Sequence, residues 1–121
     1  MIKLVYCVRR HPDVTPEAFR RYWLEQHGAR VRRLAPALGA RRYVQSHTLE
    51  TPQNAAIAAG RGTRPAYDGV TELWWDSLDA LQAALSTDAG RAADRELRED
   101  ESGFIDLSDS SVFLTQEHEI F

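Results

Sequence analysis

The sequence predicts an α+β domain built on a four-stranded antiparallel sheet that carries its helices on one face. Three observations lead there. Segments of period two and of helical period alternate along the chain in the order β-α-β-β-α-β, which such a sheet satisfies with short, right-handed crossovers. A hydrophobic share of 43% beside a charged share of 27% is that of a chain able to bury an ordinary core. The length of 121 residues suits one such core, so residues 1–121 are expected to form a single domain.

Residues 2–9 alternate, with Ile2, Leu4, Tyr6 and Val8 on one side and Lys3, Val5, Cys7 and Arg9 on the other, which is the pattern of a strand. Thr15-Pro16-Glu17 then opens a helix: a hydroxyl cap, a proline at the first helical position and a carboxylate at the positive dipole end. Phe19, Tyr22, Trp23, Gln26 and His27 share one face of it, and Gly28 is expected to close it. A second helical piece from about Ala29 to Ala35 should stop ahead of Pro36.

Arg41 to Thr48 reads as the second strand, with Tyr43, Gln45 and His47 on one face. Leu49 to Asp68 reads as a long irregular connection. Gly69 to Trp75 is the third strand, and Asp76 is expected to cap a helix whose stripe is Leu78, Leu81 and Leu85. A charged helix covers 88–101, Ser102-Gly103 stops it, and Ser111 to Ile120 is the fourth strand. Apolar residues fall on both sides of the strands, with Trp74 opposed to Trp75. A Trp on the face without helices would make a large apolar patch, so a two-fold homodimer packed sheet to sheet is expected.

Charge and cysteine content narrow the classes. Residues 1–50 carry ten Lys or Arg against four Asp or Glu, whereas residues 51–121 carry five against fourteen. The two halves are expected to face each other in the fold or across an oligomer; no aromatic platforms interleave with the basic residues, which argues against nucleic acid. One cysteine, Cys7, allows neither an internal disulfide nor a Cys-based zinc site. No apolar run reaches the roughly 18 residues of a membrane span, and the chain starts directly on a strand, so a cytoplasmic protein is expected. Gly60-Arg61-Gly62 lacks the Walker lysine, and neither a Gly-x-Ser-x-Gly elbow nor a GxGxxG follows a strand. His27, His47 and Cys7 have no metal-ligand spacing.

Cys7-Val8-Arg9-Arg10, Thr15-Pro16-Glu17-Ala18-Phe19, and above all Tyr22-Trp23-Leu24-Glu25-Gln26-His27-Gly28 resemble the EthD family of dimeric α+β barrels. Tyr43-Val44-Gln45 and Val112-Phe113-Leu114-Thr115-Gln116-Glu117-His118 extend the likeness over essentially the whole chain. The resemblance implies a ferredoxin-like protomer, a sheet-to-sheet dimer and a cavity between sheet and helices. Related barrels include cofactor-free polyketide cyclases, quinone-forming monooxygenases, small isomerases and haem-binding enzymes, and fold alone does not choose among them.

His27 is the foremost catalytic candidate, since an imidazole beside aromatic walls loses solvent and stays neutral and proton-accepting. Its other reading is a last-turn histidine bonded to free carbonyls. Tyr22 is the second catalytic candidate, through its phenol. Trp23 and Phe19 would line a pocket for an aromatic or polyketide-like ligand, or simply pack as core. Tyr43 and His47 would form a cavity wall or a solvent-facing row. Arg9 would hold an anionic group, or make a surface ion pair. His11 and His118 read as surface residues. The reading favoured is an enzyme that moves a proton on an apolar or aromatic metabolite without a cofactor, by oxidoreductase, monooxygenase or cyclase chemistry. Its rivals are a haem barrel ligated by His27 and a non-catalytic accessory dimer.

Overall fold

A computed structural model describes residues 1–121. The chain runs β1 (Ile2–Val8), α1 (Pro16–Arg21), a π-helical turn (Tyr22–His27), α2 (Gly28–Leu38), β2 (Arg42–His47), α3 (Pro52–Arg61), β3 (Gly69–Trp75), α4 (Leu78–Leu85), α5 (Asp88–Glu101), a 3₁₀ turn (Leu107–Asp109) and β4 (Ser111–Gln116). The sheet order is β2-β3-β1-β4, antiparallel throughout. No helix is long and apolar enough to cross a membrane.

Helix starts follow the local chemistry. Thr15 Oγ1 accepts from the Ala18 N–H with Pro16 behind it, and Thr51-Pro52 repeats the device at α3, where Thr51 accepts from the Gln53 N–H. The stretch 49–68, expected to be irregular, is therefore largely helical. Its α3 buries no residue, so it shows no apolar stripe for a periodicity argument to find. Ser77, not Asp76, caps α4, its Oγ accepting from the Ala80 N–H.

Gly28 does not end the first helix. Its φ of −58° and ψ of −42° are right-handed helical, and its N–H reaches back five residues to the Trp23 carbonyl. Nor does Pro36 stop α2: it sits in the last turns, where one missing N–H removes a single bond, and Gly39 at φ 69° closes the helix instead. The wide turn carries a second anchor, since Gln45 Nε2 donates to the same Trp23 carbonyl at 2.7 Å.

In register, Leu4 stands between Leu73 and Leu114, and Tyr6 between Thr71 and Val112. Tyr43 lies opposite Leu73. These residues share the face that the helices cover. Two buried clusters fill the interlayer space: Val8, Phe19, Trp23, Phe104 and Ile105 at one end, and Val31, Leu38, Ala93 and Leu97 at the other. Glycine permits the closest approach in the first: a Cβ on Gly69 would lie 2.4 Å from the Trp23 ring, so the indole reaches β3 only because that atom is missing.

The other face of the sheet departs from the apolar patch expected of it. Trp75 belongs to the helix side, where its Nε1 donates to the Leu38 carbonyl at 2.8 Å. Trp74 is on the open side but only 7% exposed, because Arg42 lies 4.7 Å and Lys3 5.4 Å from its ring. Lys3 is held in turn by Glu72 at 2.7 Å. Phe113 remains exposed there. The two charged halves meet within the fold, as in Arg30–Glu96 at 3.1 Å and Arg9–Asp109 at 3.2 Å.

Candidate active site

A cavity of about 460 Å³ lies between the two clusters, walled by Trp23 and Ile105 from one and by Val31 and Leu97 from the other. Its floor is the sheet face bearing Leu4, Tyr6, Tyr43, Thr71 and Leu73. Most of this lining is hydrocarbon, and its polar groups come from His27, Glu101, Tyr6, Tyr43, Thr71 and Arg98. A larger groove of about 680 Å³ runs outside β2 past Arg32, Arg41 and Arg42. It shares Val31 and Tyr43 with the cavity but lacks His27, Glu101 and Tyr6, so the chemistry belongs to the inner space.

His27 ends the π turn and is 4% exposed. Its Nδ1 lies 2.7 Å from Asp100 Oδ2, across from the last turn of α5. The other oxygen of Asp100 accepts the Tyr22 hydroxyl, and Arg30 Nε approaches Asp100 Oδ2 at 3.5 Å. Burial alone would push the Asp100 carboxyl up; the bonds from Tyr22 and His27, with the Arg30 charge, outweigh it and hold the group below its ordinary value. Asp100 is therefore an ionised acceptor. The phenol of Tyr22 is correspondingly pushed up, chiefly by its bond to that carboxylate.

For His27 the balance falls the other way. Loss of solvent lowers its pKa below 6.5, and Asp100 only partly restores it. The ring is neutral at neutral pH, its proton sits on Nδ1 facing Asp100, and Nε2 keeps a free lone pair. Glu101 Oε2 is 3.8 Å from that Nε2. Burial raises the Glu101 carboxyl to about 7, opposed by the neighbouring Tyr6 hydroxyl. The Tyr6 and Tyr43 phenols are both pushed up by burial, so both stay protonated. The arrangement supplies one base, one near-neutral carboxyl and two phenolic donors around an apolar hollow.

Of the residues singled out from sequence, His27, Trp23 and Tyr43 line the cavity. Tyr22 stands behind His27, bound to the same carboxylate. Phe19, His47 and Arg9 lie off the cavity wall. Phe19 is packed in the solid cluster with Trp23 and Phe104. His47 stacks on the outer side of Trp23 at 4.3 Å, bonded to Gln45 at 2.8 Å. Arg9 pairs with Asp109, donates to the Ala66 carbonyl at 2.7 Å and lies 4.5 Å from the Tyr67 ring. Asp100 and Glu101 were not legible as site residues. One signal pointed at them: Glu99-Asp100-Glu101 places three acids in the last turn of a helix, the end where the dipole disfavours them.

The EthD domain model matches residues 11–108. No functionally curated protein matches the chain. Among solved structures, an ethyl tert-butyl ether degradation (EthD) family protein from Bacillus halodurans C-125 superposes with a TM-score of 0.64 at 21% identity, covering 98% of this chain and 99% of that one. A dimeric ferredoxin-like protein of unknown function from Thermobifida fusca YX gives 0.58 at 20% identity, covering 96% and 90%. SnoaB, a cofactor-independent oxygenase from Streptomyces nogalater, gives 0.56 at 14% identity, covering 98% and 93%. These likenesses concern the fold. With the ferredoxin-like sheet order and the family model spanning most of the sequence, the chain belongs to the EthD family.

Proposed function

We propose that this protein is a cytoplasmic homodimeric enzyme that binds an apolar, aromatic or polyketide-type metabolite in the 460 Å³ cavity and removes a proton from it with His27, without a resident cofactor. One observation carries the reading: the buried imidazole spends Nδ1 on an ionised carboxylate and keeps Nε2 unprotonated on a wall of the hollow. Asp100 fixes the ring and stabilises the imidazolium that forms. Tyr22 and Arg30 hold Asp100 ionised. Trp23 and Tyr43 shape the wall for a flat, apolar guest.

Deprotonation of a phenol or an activated carbon is the first step of cofactor-free oxygenation and of cyclisation alike. The fold likeness to SnoaB supports a cofactor-free reading. The dimer reading rests on the described dimer from Thermobifida fusca and on Phe113, exposed on the helix-free face.

The test is His27→Ala, with turnover compared on a phenolic and on a poly-β-keto substrate. Turnover should fall by about a hundredfold or more, the usual share of a general base. Unchanged turnover in a folded variant would remove the histidine from the mechanism and leave a ligand-binding dimer.

A further inference from the structure

The cavity wall holds a carboxyl that the reading above leaves idle, that of Glu101. Glu101 closes α5, and its own carbonyl accepts from the N–H groups of Phe104 at 3.2 Å and Ile105 at 2.9 Å, which pins the turn that carries it. The side chain lines the cavity beside Tyr6 and Tyr43. Its partner within ion-pair range is His27 Nε2, at 3.8 Å. The charged and titratable groups facing it are His27 from the π turn, Tyr6 from β1, Tyr43 from β2, and Asp94, Arg98 and Asp100 from its own helix.

We infer that Glu101 is the acid partner of His27 in the enolisation of a ketone flanked by aromatic or apolar groups, the substrate's α-carbon facing Nε2 and its carbonyl oxygen facing the Glu101 carboxyl. This rests on His27 acting as base. His27 Nε2 takes the α-proton, and the C–H pair becomes the new C=C bond. The carbonyl π pair moves onto oxygen, which takes the proton of the Glu101 carboxyl. The enol leaves, and Nε2 gives its proton to solvent while the Glu101 carboxylate, 3.8 Å away, takes one from solvent, restoring both groups. The balance is ketone to enol, with no oxidant and no cofactor consumed. Burial keeps the carboxyl protonated up to about pH 7, and Leu4, Leu73, Leu97 and Val112 offer hydrocarbon to the rest of the guest.

The experiment follows α-proton exchange of 2-tetralone in deuterated buffer by proton NMR, with the full chain. The wild type should accelerate exchange over buffer, with a rate that rises as His27 loses its proton below pH 6.5 and falls as Glu101 ionises near 7. His27→Ala should abolish the acceleration. Glu101→Gln, of the same shape, should lose about a hundredfold and the descending limb with it. Acceleration lost in His27→Ala but kept with its descending limb in Glu101→Gln overturns the role of Glu101 and leaves that of His27 standing. No acceleration by the wild type at any pH overturns both. Should Glu101→Gln not fold, a wild-type profile without a descending limb overturns the inference by itself.

Discussion

The space between sheet and helices is solid at one end and hollow in its middle, and Trp23 belongs to both parts. At the solid end Phe19, Trp23 and Phe104 interlock at ring distances of 5.4 and 6.0 Å, with Val8 and Ile105 filling the space around them. A turn further on, the same helical run brings His27 to a wall it shares with Glu101. The difference teaches how a small fold keeps polar chemistry out of water. Aromatic packing fixes the frame, and the unfilled volume beside it is where burial can hold an imidazole neutral and a carboxyl protonated.

Trp23→Ala breaks the comparison hardest, since it takes the shared wall from both parts. A loss of about 3–5 kcal/mol in urea unfolding is expected. Glu101→Gln sharpens it through pH. Because burial raises this carboxyl from an ordinary 4.5 to about 7, its contribution to stability is full below about pH 4.5 and is lost as pH rises through about 7. Relative to Glu101→Gln, the wild type should therefore weaken by about 3 kcal/mol between pH 4.5 and 8, read from paired denaturation curves. His27 acts oppositely, its lowered pKa withdrawing stability as pH falls below 6.5. Asp100→Asn should cost about 2 kcal/mol, by taking the charged acceptor from Tyr22 and His27. Arg9→Ala, outside both regions, should cost less than about 1 kcal/mol in the same assay and leave turnover unchanged.

The strands and the capped start of α1 were legible in the sequence because their signals are local. Gly69–Trp75 alternates within seven residues, and Thr15-Pro16 announces α1 by itself. Thr51-Pro52 sends the same signal, yet α3 buries nothing and the Ala-rich run after it offered no stripe to support a helix. Gly28 and Pro36 read as stops by composition, but the packing of α2 on α5, joined by Arg30–Glu96, carries the helix through both. The site was half legible. His27 and Trp23 declare themselves by spacing within one helix, whereas the Asp100 that orients the ring lies 73 positions away, and only the fold brings them together.

Asp100 and Glu101 occupy the final turn of α5, the part of a helix most prone to fray. Phe104 clamps that turn from outside, its ring 5.0 Å from His27 and 5.1 Å from Tyr22. The strength of the base is thereby coupled to local melting: were the turn to open, the imidazole would lose its anchor and the hollow would be wetted. Amide exchange at Phe104 and Ile105 would then report, without any substrate, what fraction of molecules is competent at a given moment.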